Sequence, residues 1–139
     1  MKKILITAAF ILCVTAATVP PAFAHHSFAA EYDASKPITL HGKLTKLSWV
    51  NPHGWIYVEV RNPDGTATNW AVEFGGPNAL LRRGLRETDF PLGSDLTVNG
   101  YLAKNGKKII NGTSVKLPDG RSLFTGSVGT GAPGDPGNQ

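Results

Sequence analysis

The chain has 139 residues, 41% of them apolar and 17% charged, with 14 basic and 10 acidic side chains for a net charge of +4. That length holds one small domain, and the single cysteine, Cys13, excludes a disulfide framework or a thiolate metal cluster. The positive charge is too slight and too scattered for the dense basic stripe of a dedicated nucleic-acid binder, so no nucleic-acid partner is expected.

The chain opens Met1-Lys2-Lys3 and continues into an apolar run over residues 4–19, ended by Pro20-Pro21 and the small-residue pattern Ala22-Phe23-Ala24. This is the charged start, apolar middle and small-residue end of a secretory signal, so residues 1–24 are expected to be cleaved between Ala24 and His25. The run is shorter than the roughly 20 residues of a membrane-spanning helix. The expected product is periplasmic or secreted and keeps no stable membrane anchor. A cut after Ala17 is the competing boundary, and the Pro-Pro break favours the later one. Losing Lys2 and Lys3 from the 14 basic residues leaves 12 against 10 acidic, so part of the basic character belongs to the signal.

Downstream, apolar residues alternate at period two more than they repeat at helical spacing, which predicts a mainly β domain. Residues 38–50 form the first predicted strand, with Ile38, Leu40 and Leu44 on one parity and Leu47 and Trp49 on the other. The switch near Thr45-Lys46 predicts a bulge or sharp bend. Residues 55–61 alternate Ile56, Val58 and Val60 inward with Trp55, Tyr57, Glu59 and Arg61 outward. Asn62-Pro63-Asp64-Gly65 has turn chemistry, so residues 66–74 return as a hairpin with Trp70, Val72 and Phe74 inward. A short helix is predicted over residues 78–86, with Leu81 and Leu85 toward the core and Arg82, Arg83 and Arg86 toward solvent; Gly84 weakens it. Strands follow at residues 95–103 and, after an Asn105-Gly106 turn, 109–117, with a short last strand through Phe124. Three strands, a helix and two strands, beginning with a long bent strand, is the order of a small OB-like Greek-key barrel of five to six strands with one short helix. An open sandwich of the same strands is the alternative. Residues 25–125 therefore read as one β-barrel domain with an N-terminal arm, and the Gly- and Pro-rich residues 126–139 as a disordered tail.

Several segments fit a known pattern: His25-His26-Ser27-Phe28 with Glu31-Tyr32-Asp33, Leu40-His41-Gly42 leading to Trp49-Val50-Asn51-Pro52-His53, Trp70 with Glu73, residues 80–84, and Asp119-Gly120-Arg121. Together they resemble an exported bacterial family of unknown function. The resemblance spans nearly the whole mature chain and implies export and a single domain, but no mechanism.

The expected mature terminus carries the most informative chemistry. A terminal His25 joins a free amine and an imidazole Nδ1 in one chelate ring. Copper(II), which heads the affinity order for nitrogen ligands and favours tetragonal geometry, is the natural guest. A third nitrogen would complete a T-shaped site, and His53, in the Asn51-Pro52-His53-Gly54 loop, is the leading donor. His26 offers a competing mode through its amide and ring, and His41 completes the chain's histidines. Each has a plainer reading: His53 as a turn residue, His41 solvated on the outward parity of the first strand, His25 and His26 as a polar arm. Glu31 and Asp33 are candidates to orient an imidazole.

A second reading is a binding module. OB barrels bind along their second and third strands, flanked by the loops after the first and fourth. Trp55, Tyr57, Arg61 and Asn69 would line that groove for an oligosaccharide or other extended envelope polymer, unless the aromatics pack under the N-terminal arm. A third reading is an accessory subunit to an envelope enzyme partner. Catalysis by the chain itself has the least support, because no nucleophile elbow, phosphate loop or His-Glu-x-x-His pattern is present.

Overall fold

The computed structural model describes residues 27–136; the expected signal segment and His25 and His26 lie outside them. A single-turn helix, α1 (Phe28–Glu31), leads into β1 (Tyr32–Ser48), β2 (His53–Arg61) and β3 (Ala67–Gly75). Helix α2 (Pro77–Arg82) and a 3-10 turn at Glu87–Asp89 precede β4 (Asp95–Ala103), β5 (Ile109–Lys116) and β6 (Ser122–Phe124). The strands are hydrogen-bonded in the order β3-β2-β1-β4-β5-β6, and an additional β3–β5 pairing closes the ring. That closing pair is parallel, while every other pair is antiparallel. The result is the OB-like barrel expected from the strand order, with its helix between the third and fourth strands.

The bend in β1 falls where the parity switch places it. Leu44 pairs with Val58 and Lys46 with Tyr57, so Thr45 is the extra residue of a bulge. The slip lets Leu40 and Leu44 on one parity and Leu47 on the other all pack on the core. Ile56, Val58, Val72, Phe74, Val98, Ile110 and Val115 fill the interior. Gly112 admits the Phe74 ring, since a Cβ there would lie 2.4 Å from a ring carbon.

The helix differs from its predicted extent. It ends at Arg82, and Gly84 adopts φ +86° just beyond it. Leu85 N–H and Gly84 N–H donate back to the carbonyls of Leu80 and Leu81, both at 3.0 Å, which is a Schellman closure. Leu85 therefore reaches the core from the loop, and the helical residue beside it is Leu80, fully buried, while Leu81, expected inside, is 48% exposed. Gly84 thus ends the helix four residues early, at Arg82 rather than Arg86.

The end of the chain also differs from the expected disordered tail. Gly75 N–H donates to Thr125 O at 2.8 Å, and a Cβ on Gly75 would stand only 3.0 Å from Gly126 O, so the missing side chain admits the departing backbone. Residues 127–136 then turn back over the barrel mouth. Phe28 N–H donates to Thr130 O at 2.9 Å, and the buried Asp135 carboxylate accepts the N–H groups of Thr130 and Gly131. The composition offered little apolar surface, but backbone hydrogen bonds and one buried carboxylate order this loop instead.

The two leucines give a direct check on the helix register. Leu80→Ala should lower the unfolding free energy by about 2–5 kcal/mol, and Leu81→Ala by less than about 0.5 kcal/mol, in chemical denaturation followed by circular dichroism.

Candidate functional site

His53 opens β2 directly after the loop that leaves β1, and the hairpin register pairs it with Gly75 and pairs Trp55 with Glu73. Because Phe74 points into the core opposite Gly54, His53, Trp55 and Glu73 share the outer face, with Glu73 diagonal to His53. His53 Nδ1 lies 3.0 Å from Glu73 Oε1, with side-chain exposures of 18% and 12%, and 3.3 Å from Ser127 Oγ. The other carboxylate oxygen, Oε2, accepts the Tyr32 hydroxyl from the start of β1. Burial, reinforced by the Glu73 carboxylate, pushes the Tyr32 phenol far above its ordinary value, so it stays protonated and donates.

Glu73 thus joins the loop after β1 to the N-terminal arm. In a neutral His53 ring the bond to Glu73 holds the proton on Nδ1 and leaves the lone pair on Nε2. Nε2 meets no partner among the described residues. Ser127 and Glu73 both approach Nδ1, whereas a nucleophile–base–acid relay uses opposite ring nitrogens.

A further polar group lies beside Glu73. Val72 and Ile110 pair inside the core, so the next pair of the parallel ladder, Glu73 and Asn111, faces outward. Asn111 is buried, and its Oδ1 meets no hydrogen-bond donor among the described residues. The cover over this face is the arm: Phe28 and Tyr32 stack at 5.7 Å, Phe28 meets Tyr101 edge-on at 5.4 Å, and Ala132 completes the cluster.

The remaining candidates separate. His41 is exposed on β1, Nδ1 3.0 Å from Thr97 Oγ1, and pairs toward β4. Gly42 abuts Glu59, six residues along β2 from His53, so His41 and His53 stand about 20 Å apart along the strand. Asp33 turns to Ser35 and Lys36, which hold its carboxyl below the usual range, and the acceptor beside the His53 imidazole is Glu73. Among the described residues no group of three or more His, Cys, Asp and Glu side chains forms a metal set. Trp55, Tyr57 and Arg61 stand in a row along the outer face of β2, with Asn69 opposite Glu59. Lys46 Nζ covers the Tyr57 ring at 5.0 Å, and Asn69 Oδ1 accepts Thr45 Oγ1 at 3.3 Å. Trp55 lines a cleft of about 340 Å³ with Tyr32, Lys104 and Asn105. Among the described residues no helix is long and apolar enough to cross a membrane.

Fold and site define a small OB-like barrel whose mouth is held by a partly buried Tyr–Glu–His chain. Residues 11–113 match the model of a family of unknown function, DUF6152, and the chain belongs to that family. No curated protein and no solved structure matches it.

Tyr32 gives the site a pH signature. Above pH 10, the ordinary tyrosine value, the unfolded chain loses the Tyr32 proton while the folded one retains it. Stability present below that pH therefore falls as pH rises, by up to about 1.4 kcal/mol per unit for this one group. Urea titrations across the alkaline range should show the fall in the wild type and a shallower one in Tyr32→Phe.

Proposed function

We propose that this chain is an exported cell-envelope ligand-binding protein that binds copper(II) through the amine and ring of a mature N-terminal His25, with His53 as the further imidazole. The observation that carries this reading is the orientation of His53, whose Nδ1 is taken by Glu73 while Nε2 is left for a metal. Carboxylate support of this kind fixes a ligand ring and raises its basicity. Tyr32 ties the same carboxylate to the arm. His25 precedes the anchored Phe28 by three residues, a reach of at most about 10 Å. The unpartnered Asn111 Oδ1 on this face is an acceptor suited to a terminal amine or a metal-bound water. Export through the 1–24 segment creates the chelating terminus, and His26 supplies the competing mode local to the arm.

The mature protein purified from the envelope should have the mass of a chain beginning at His25. On that protein, electron paramagnetic resonance and calorimetric titration should show one copper(II) with nitrogen ligation that weakens as pH falls, because protons compete for the ligands. His25→Ala, or one extra N-terminal residue, should abolish the site. His53→Ala should reduce the nitrogen count, and Glu73→Gln should weaken affinity by about 10- to 100-fold. If the extension is harmless and His26→Ala removes binding, the ligands belong to the arm alone. Identical titrations for all variants would sink the copper reading.

A second reading has its own support. Trp49 packs on Phe90 and Trp70 lies under Lys108, while the half-buried Trp55 has no ring or cation partner among the described residues. Its cleft borders the loop after β4, where OB barrels bind extended polymers. Alanine at Trp55 and Tyr57 should then abolish retention on an envelope glycan, each stacking contact being worth about 1–3 kcal/mol. Retention of the double variant equal to wild type would retire this reading.

A further inference from the structure

We infer a second site, separate in chemistry from the copper reading: a cleft beside His53 that takes the oxyanion of a small molecule, a carboxylate or a phosphate. The cleft, about 490 Å³, lies between the end of α2, the Gly75-Gly76 turn and the loop that follows β6. Its polar walls are Arg82, Arg83, His53 and Ser127, and no Asp or Glu lines it.

The two arginines have complementary roles. Arg83 is already in position. Its Nη1 donates to Gly126 O at 2.7 Å, and its guanidinium lies over the Phe124 ring at 4.8 Å. Its other guanidinium N–H groups meet no acceptor among the described residues. Arg82 is exposed and forms no ion pair among the described residues. Burial, and then the neighbouring Arg82 charge, press on the Arg83 cation, while the Asp135 carboxylate opposes them. Asp135 is turned into its own loop, where it holds Thr130 and Gly131 N–H. The local charge balance is therefore positive and concave, with one guanidinium fixed and one free to close. Planar forks of N–H donors match paired anionic oxygens, and charge-assisted bonds of this kind are the strong ones. Ser127 adds a hydroxyl that can donate to the same anion. The Schellman turn at Gly84 is what places consecutive arginines at the rim, because it ends the helix between them and the core residue Leu85.

The test uses metal-free protein dialysed free of chelator, so that its outcome is independent of copper. Inorganic phosphate, succinate and citrate are titrated against chloride at matched ionic strength, with amide chemical shifts as the readout. Saturable shifts confined to residues 52–53, 75–83 and 126–128 are expected. Arg82→Ala should weaken binding about tenfold and Arg82→Glu should abolish it, with both variants melting like the wild type. A preference for phosphate assigns the group as a phosphate or its ester, and a preference for succinate or citrate assigns it as a carboxylate. No saturation by any of the three anions, equal shifts in chloride, or undiminished binding by Arg82→Glu would each overturn the site.

Discussion

The Glu73 carboxylate is the constraint on which the barrel mouth depends. A largely covered carboxylate is met by donors, and here one oxygen takes Tyr32 and the other His53. Those two donors come from segments more than twenty residues apart, so satisfying one side chain fixes both the arm and the loop after β1. The closing loop is drawn into the same assembly, through Ser127 beside His53 and Thr130 O beneath Phe28 N–H. Cutting the Tyr32 contact would leave the arm with its aromatic packing, the Phe28 N–H bond to Thr130 O and the bonds from Lys104 to the Glu31 and Ala29 carbonyls.

How far the sequence reveals this varies with the physics involved. The barrel was legible because its inward residues alternate strictly along β2 and β3, and because the Thr45 bulge leaves a parity switch in the pattern of β1. Alternation and turn chemistry are local signals. The early stop of α2 was misread because Leu81 and Leu85 show helical spacing, and Gly84 was weighed as a weak helix residue when it serves as the left-handed terminator. The loop after β6 was hidden for a different reason: it is held by backbone hydrogen bonds, which composition does not report.

The site was half legible. His53 stood out by its loop, but the acidic residues considered for orienting an imidazole were those of the arm. Glu73 is twenty residues away in sequence and reaches His53 only across the hairpin. The signal was available in that hairpin, since a turn at residues 62–65 fixes the register and puts Glu73 opposite Trp55, one diagonal step from His53. Asn111 was beyond such reasoning, because its place beside Glu73 comes from the parallel β3–β5 closure, which no turn or local alternation signals. The same geometry narrows the chemistry at His53: Ser127 shares the nitrogen that Glu73 holds, so the ring is presented as a ligand by its far side.

The tautomer of His53 tests this arrangement most directly. Long-range proton–nitrogen correlation spectra of uniformly labelled protein, recorded where the ring is neutral, distinguish the two forms by their nitrogen shifts. The proton is expected on Nδ1, held by Glu73, with an unprotonated Nε2 turned outward. A neutral His53 carrying its proton on Nε2, the form favoured by free histidine, would contradict the Tyr32–Glu73–His53 chain and the ligand role that rests on it.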